Sequence, residues 1–396
     1  MTLLASGVDS FTGIHPFLLV IAAAGLDQLV GDPRWCLHPV VVMGWGISWL
    51  RRLAEQWAGD RPLALRLAGG VITALLVSGS AGAGWALEQA AQHLDRAELP
   101  APLSVTLGPM LLLVALASAL AGRSLEQAVR DVLRALPPAT SPLGARTQAR
   151  STIQHSVRPV RIAPAVEDPG PSSGPGPEDL EPARRALSWI VGRSTDDLSS
   201  AEIMRAAAET ASENAVDGLF APLFWMLVGA ALWSAGLTGG PGPLCLAWGF
   251  KAASTLDSML GYRRGRLTWL GTAGARLDDL LVWLPCRLVA LSLPLVAGIH
   301  ATKRCVVLLQ AALRDGAPDP SPNAGVSQAA YAHAAGVQMG GLNRYGDAIK
   351  AKPLLAKDCP PASPAAVQRI LKLSLRLEAL WLAAGLALGA GISAAQ

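Results

Sequence analysis

LFAPLFWMLVGAALWSAGLTGGPGPLCLAWGF (Leu219–Phe250) runs for 32 residues without one charged side chain. A helix crossing a hydrocarbon core of roughly 30 Å needs about 20 apolar residues, so this stretch is too long for a single span. Its centre, Gly-Leu-Thr-Gly-Gly-Pro-Gly-Pro (Gly236–Pro243), is dense in helix breakers. The stretch therefore predicts a hairpin of two shorter apolar helices. Working outward, Leu67–Leu87 and Ala101–Gly122 are also uncharged, Leu280–Ile299 carries only Arg287, and the tail after Glu378 is uncharged to Gln396. Phe11–Leu26 has no basic stretch before it and reads as a retained first membrane helix rather than a signal peptide. Buried helices of a soluble protein rarely stay uncharged past about 18 residues. The fold class expected is all-α, a polytopic integral membrane protein with five or six crossings or partial crossings.

Composition agrees. Charged residues are 16% of the chain, against about 25% in ordinary globular proteins. The net charge of +4 is too small to suggest a nucleic-acid partner. Its distribution says more. Arg34, Arg51, Arg52 and Arg61 crowd the first loop, and Arg123, Arg130, Arg134, Arg146 and Arg150 the loop after Gly122, whereas Glu88–Pro100 is acidic. By the positive-inside rule the two basic loops are cytoplasmic and Glu88–Pro100 lies outside. Arg263, Arg264 and Arg266 place a further loop inside, which implies an inner-membrane protein with its polar blocks facing the cytoplasm. The five cysteines show no C-x-x-C pairing and read as reduced packing residues. We expect one membrane domain, 1–396, interrupted by a Pro/Gly/Ser-rich cytoplasmic insertion at Pro137–Pro182 that cannot bury enough apolar surface to fold.

Four polar blocks border the apolar runs, and ionisable groups beside hydrocarbon are costly enough to mark a site or a pathway. The first is Leu26-Asp-Gln-Leu-Val-Gly-Asp-Pro-Arg34, running on through His38-Pro39. Mg²⁺ takes one or two carboxylates with phosphate oxygens, which makes Asp27 and Asp32 candidate ligands; a solvated helix end is the plain alternative. The second follows Val191-Gly-Arg193. On a helix starting near Asp197, Arg205, Glu209, Glu213 and Asp217 fall at successive i, i+4 positions on one face, beside Asn214. Arg205 can pair with Glu209, but Glu213 and Asp217 then repel each other unless a cation sits between them. The third block joins Lys251, Asp257, Arg276, Asp278, Asp279 and Arg287. Interfacial salt bridges would explain part of it. The fourth is Ser321-Pro-Asn-Ala-Gly325, read as a helix start with Ser at N-cap and Pro at N1, whose free N–H groups suit a phosphate or carboxylate.

No phosphate loop, Rossmann glycine fingerprint, H-E-x-x-H or G-x-S-x-G is present, and the histidines show no ligand spacing. Carboxylates, Lys, Arg and a divalent cation are what remain. By residue type, Glu209, Glu213, Asp217, Lys251 and Asp257 are the catalytic candidates. Arg193, Asn214, Arg276, Arg287, Ser321 and Asn323 are candidates for substrate or phosphate, and Asp27, Asp32, Asp278 and Asp279 for metal.

Taken in order, the blocks resemble the membrane-bound CobD or CbiB family, the adenosylcobinamide-phosphate synthases. The residues that carry the resemblance are Asp27, Gly31-Asp32-Pro33, Val191-Gly192-Arg193, Arg205-Ala206, Glu209, Glu213-Asn214, Asp217-Gly218, Lys251, Thr255-Leu-Asp-Ser-Met259, Ala275-Arg-Leu-Asp-Asp279, Pro285, Arg287, Ser321-Pro-Asn-Ala-Gly325 and Gly340-Gly341. Ser194 stands where the family pattern has Asp, and Ser254 and Val282 where it has Asn. The resemblance implies that adenosylcobyric acid is amidated by (R)-1-aminopropan-2-ol or its O-phosphate, with ATP and Mg²⁺. It also implies a corrinoid as substrate rather than cofactor, the lipid bilayer as surroundings, and other corrinoid-pathway enzymes as partners. The competing reading is a membrane transporter, or an AmpE-like sensor without amidation activity, to which a broken helix pair would also be suited.

Overall fold

A computed structural model of the protein describes residues 15–32, 38–96, 103–137, 179–299, 301–345 and 348–396. Nearly all of the Pro137–Pro182 segment, and with it the expected insertion, lies outside them. The helices are α1 (Pro16–Val30), α2 (Pro39–Ala58), α3 (Pro62–Arg96), α4 (Leu103–Ala117), α5 (Gly122–Ala135), α6 (Glu181–Ser188) and α7 (Ser200–Ala215). A π-helical turn at Val216–Phe220 joins α7 to α8 (Ala221–Ser234); α9 (Pro243–Leu260), α10 (Leu267–Leu270), α11 (Thr272–Val296), α12 (Thr302–Gly316) and α13 (Ala324–Ala335) follow. A hairpin of β1 (Met339–Tyr345) and β2 (Ala348–Leu355) precedes the last helix, α14 (Pro364–Ala394). Among the described residues five stretches are long and apolar enough to cross a membrane: Pro62–Leu94, Leu107–Ala135, Ser200–Ser234, Thr272–Val296 and Pro364–Ala394.

The surface shows why this is a membrane fold. Leu63, Leu67, Val71 and Leu75 descend α3 at four-residue intervals, each more than half exposed. In water that stripe would be an aggregation surface, and in a bilayer it faces its natural solvent. On α2, Trp45, Trp49, Leu53 and Trp57 repeat the spacing on an exposed face. Arg61 and Arg66 lie over the rings of Trp57 and Trp269, and Trp is the residue of membrane–water interfaces.

The expected helix hairpin is present as α8 and α9, with the break at 235–242. What ties the break down was not expected. Glu88 is fully buried on α3, where its Oε2 accepts the N–H of Gly242 and its Oε1 those of Leu244 and Cys245. These are orphan donors at the start of α9, and a carboxylate there satisfies them while meeting the positive end of the helix dipole. Charge counting had put Glu88 in an outer loop; α3 instead continues to Arg96 and carries it inside the bundle. At the other end of the chain Gly385 and Gly389, one turn apart on α14, leave space that Phe17 of α1 fills. This is the small-x-x-x-small packing of membrane helices.

The helix α11 passes through Pro285 and Pro294 without ending, so the run at Leu280–Ile299 belongs to one 25-residue helix. The Ser321–Gly325 block packs against this helix. Arg287 Nη2 donates to Pro322 O at 2.9 Å, which seats the block beside the middle of α11.

The main core runs through the molecule, and a second, smaller cluster (Ile47, Leu65, Ile72, Leu256, Leu267) packs α2 and α10 against α3 and α9. At one end the alanine face of α7 (Ala206, Ala207, Ala208, Ala211) is buried among α5, α6, α13, β1 and α14. At the other α1, α3, α4, α8, α9 and α11 pack together. The two ends meet at the π turn.

Candidate active site

The π turn follows from Pro222. Proline has no N–H, so the carbonyl four residues back, Gly218 O, loses its helical donor, and the ring crowds that carbonyl. The helix responds by widening over Val216–Phe220, where the Ala221 N–H reaches Val216 O. The freed Gly218 O accepts instead from Ala121 N at 2.9 Å, which docks the α4–α5 junction against the turn. Single π turns of this kind recur at functional sites. Here the turn carries Asp217.

Asp217 has Asp278, Glu213, Asp257 and Lys251 as its electrostatic neighbours. Asp278 in turn faces Asp257, Asp279 and Lys251. The five carboxylates come from α7, the π turn, α9 and α11, and each side chain is half-buried. Among the described residues none of the five has an ion-pair partner within 4 Å. Lys251, half-buried on α9, stands between this group and the first block, with Asp32, Asp217, Asp27 and Asp278 around it. Glu213 accepts a hydrogen bond from Gln328 Nε2, and Asp278 Oδ1 is buried with no partner. Asp279 is flanked by Arg276 and Arg263. No three Asp, Glu, His or Cys side chains among the described residues close on one point tightly enough to enclose a metal ion.

The remaining candidates are otherwise engaged. Asp27 is 1% exposed, and its Oδ2 accepts the N–H groups of Gly122 and Arg123, so it caps α5. Asp32 Oδ2 accepts from Ser124 Oγ at 2.8 Å, and Oδ1 lies 3.2 Å from His38 Nε2. Burial works to raise the Asp32 carboxyl, but the Ser124 hydrogen bond and the adjacent His38 outweigh it and hold it below its ordinary value. Both residues thus serve as local fasteners.

Glu209 does not pair with Arg205, although the i, i+4 spacing suggested it. Its Oε2 meets Arg193 Nη2 at 2.5 Å, with both side chains under 10% exposed, and its Oε1 accepts the N–H of Gly340 at 2.9 Å. Arg193 also bonds Asn343, and Arg205 donates to the carbonyls of Gly340 and Leu342. Together these residues clamp the β-hairpin onto α7. The clamp needs glycine at 340 and 341, where φ is +84° and +99°; a Cβ at 340 would also come within 1.9 Å of Pro353 O.

Arg287 donates to Asn323 Oδ1 and stacks on Trp283, while Asn323 Nδ2 donates to Asp279 O at 2.8 Å. Ser321 Oγ accepts from Asn323 N and Ala324 N, so α13 begins at Ala324, with Asn323 and not Ser321 at the N-cap. Asn214 is half-buried beside Glu213, and Arg276 is exposed at the rim.

A model of the CobD/Cbib protein family matches residues 20–159 and 173–374. The chain belongs to the CobD/Cbib family. Cobalamin biosynthesis protein CobD of Geobacter metallireducens is 34% identical over 366 residues, 91% of this chain and 93% of that one. Cobalamin biosynthesis protein CbiB of Salmonella typhimurium is 32% identical over 374 residues, 93% and 94% of the two chains. A CobD of Synechocystis is 45% identical over 203 residues, which span 51% of this chain and 56% of that relative. No solved structure matches. The names of these CobD/Cbib relatives place them in cobalamin biosynthesis, and membership supports a role in that pathway here.

Three residues at the CobD/Cbib carboxylate cluster escaped the sequence reading. Gln328 is 1% exposed on α13 and bonds Glu213. Asp319 and Lys352 form an ion pair at 3.3 Å near the same glutamate. Each is a lone polar residue with no local pattern. Only the hairpin carrying Lys352 had a readable signal, the dipeptide Gly346-Asp347 in the sequence.

Proposed function

We propose that the protein is a membrane enzyme of cobalamin biosynthesis that forms an amide between a carboxylate of a corrinoid acid, adenosylcobyric acid, and (R)-1-aminopropan-2-ol or its O-phosphate. The observation that carries this reading is the convergence of Glu213, Asp257 and Asp278 on Asp217, with Asp279 beside Asp278, Lys251 facing Asp217 and Asp278, and no ion pair to any of the five among the described residues, in a chain of the CobD/Cbib family. Glu88 and Glu209, by contrast, have both carboxylate oxygens hydrogen-bonded. An unsaturated group of five is placed for ligands and protons.

A carboxylate is a poor electrophile at neutral pH and an ammonium is no nucleophile, so amide formation needs one activated and the other deprotonated. Mg²⁺ and ATP would supply the activation by phosphoryl transfer. The donors present fit Mg²⁺. They are hard carboxylate oxygens, one of them (Asp278 Oδ1) without a partner, and Mg²⁺ commonly takes only one or two protein carboxylates beside phosphate oxygens. Asp278 and its neighbour Asp257 would hold it. Lys251 lies where an anionic oxygen needs a cation, and its Nζ can donate to the reacting carboxylate or to a phosphate. Glu213 and Asp217 hold the ammonium and accept the proton it must lose before its nitrogen attacks the acyl carbon. Arg276 at the rim meets negative charge on the entering substrate. The cluster stands next to the basic run Arg263, Arg264 and Arg266, which supports a site open to the cytoplasm.

The test is an amidation assay on detergent-purified protein with cobyric acid, ATP, Mg²⁺ and each amine, the product being identified by mass. Amide that forms only with ATP and active protein is the expected result. Absence of product with both amines overturns the reading.

A further inference from the structure

A groove of about 750 Å³ runs between α8, α11 and α14, with Leu227, Ala231, Leu291, Leu380, Ala384 and Leu388 among its walls. That volume falls within the range of pockets that hold a small organic ligand, about 300–1,000 Å³. The walls suit an apolar one. The polar side chains that line the groove are Ser292 and Trp381, and both are spent. Trp381 Nε1 donates to Ser292 Oγ at 3.1 Å, and Ser292 Oγ donates to Leu288 O at 2.6 Å.

Charge enters at one end of the groove. On α14 the lining residues Leu380, Ala384, Leu388 and Ile392 recur every four residues, and the same row continues toward the start of the helix as Arg376 and Lys372, both exposed. Among the described residues neither of these cations is in an ion pair. From Ala379 to Ala394 the helix is uncharged for about 24 Å, against a hydrocarbon core of roughly 30 Å. Arg376 and Lys372 therefore stand at the edge of that core, at the depth of lipid head groups. This is also the end of α14 nearest the carboxylate cluster. Ser374, between the two cations, meets Tyr331 Oη at 2.7 Å on α13, the helix whose Gln328 bonds Glu213. The positive-inside rule assigns that side to the cytoplasm, and the cytoplasmic leaflet carries the anionic lipids.

We infer that the groove is a site for an anionic phospholipid, with an acyl chain laid between α8 and α14 and the phosphate held by Arg376 and Lys372. Apolar walls by themselves take any lipid of the bilayer. The two cations in line with the groove supply the distinction among head groups. A phosphatidylcholine head brings its own ammonium, which they repel, whereas a phosphatidylglycerol head brings a net negative charge. The site is separate from the carboxylate cluster and does not depend on the reaction proposed there.

The experiment incubates full-length detergent-purified protein with micelles holding equal amounts of dioleoyl-phosphatidylglycerol and dioleoyl-phosphatidylcholine. The protein is then recovered through lipid-free detergent, and its retained lipid is counted by mass spectrometry. The parent should keep phosphatidylglycerol over phosphatidylcholine by about tenfold or more, since each cation near an anionic head contributes about fivefold. Replacing both cations, Lys372→Gln with Arg376→Gln, should bring the two lipids near parity. Ala384→Trp puts an indole into the groove and should lose the retained phosphatidylglycerol. Ala383→Trp, exposed on α14 outside the lining, should keep it. Equal retention of both lipids by the parent would mean an ordinary lipid annulus. A preference unchanged in the double Gln variant would put the head group elsewhere, and retention unchanged in Ala384→Trp would put the chain elsewhere. A parent dimer that Ala384→Trp dissociates while lipid retention stays the same would give the groove to a second copy. Any of these four results overturns the inference.

Discussion

Two groups of carboxylates lie within a few turns of each other along one continuous helix, and they live differently. Glu209, on the α7 stretch, is saturated by Arg193 on one oxygen and by the Gly340 N–H on the other. Glu213 and Asp217, one and two turns further, meet other carboxylates and a lysine and have no ion pair within 4 Å among the described residues. Residue type and spacing are the same; what differs is whether the surroundings were built to neutralise the charge. Burying a charge is tolerable when it is paired and hydrogen-bonded, and costly otherwise. A paired group is therefore part of the scaffold, whereas an unpaired one persists where ligands complete it. The same division separates Arg287, spent on Asn323 and Pro322 O, from Lys251, which stays among carboxylates.

Breaking the scaffold side should show first in stability. Arg193→Ala leaves Glu209 buried without its cation, and losing one partner of a buried pair costs about 3–5 kcal/mol. Thermal unfolding in detergent should fall clearly, with the hairpin becoming accessible to protease. A variant as stable as the parent would erase the contrast with Glu213 and Asp217.

Asp217→Asn acts on the other side. Amide formation should drop at least about tenfold, the usual minimum for a group next to a metal or reacting atom. Unfolding should stay level or move upward, because one of several mutually repelling charges is gone. Turnover within a few-fold of the parent, together with a loss of stability, would move Asp217 into the scaffold.

A smaller effect belongs to the cap on α9. Glu88→Gln presents an NH₂ where one oxygen accepted, and orphans a backbone donor at Gly242 or at Leu244 and Cys245, at a cost of about 1 kcal/mol. Stability should fall slightly and catalysis hardly at all; a large kinetic defect would show that the break at 235–242 takes part in the chemistry.

The least effect, and one with a sign that pH can check, is at Asp315. Burial tends to raise its carboxyl, but hydrogen bonds from His333, Arg314 and the Ala356 N–H outweigh this and hold it below its ordinary value. A carboxylate depressed on folding stabilises above its unfolded value, and that contribution is lost as pH falls through the folded one. Asp315→Asn should be the less stable protein near neutrality, and the difference should close as pH is taken below about 4. A gap that widened in acid would reverse the sign and refute the assignment.

Much of the cluster was legible because its chemistry repeats locally. Glu213 and Asp217 fall on one helix face by spacing alone, and Asp278-Asp279 stands at the edge of an apolar run. Arg205 and Glu209 share that spacing, and there it misled. Their true partners lie 16 residues upstream, at Arg193, and about 130 residues downstream in the hairpin. Local periodicity lists which residues can touch, but it does not choose between them when a tertiary partner competes.

The sequence by itself determined that this chain is a bundle of membrane helices with a broken hairpin at its centre. Hydrocarbon imposes length and polarity so strictly that an uncharged run and its glycines and prolines leave few alternatives. It also marked four polar blocks as candidates for the chemistry, since charge beside lipid is too costly to keep without cause. The tertiary structure alone decided which of those charges are free to act. Pro222 widens the turn that carries Asp217, Glu88 goes inward to cap α9, and the hairpin brings Lys352 to Glu213. Whether a carboxylate is neutralised depends on groups within a few ångströms in space, and those come from segments more than a hundred residues apart in the chain.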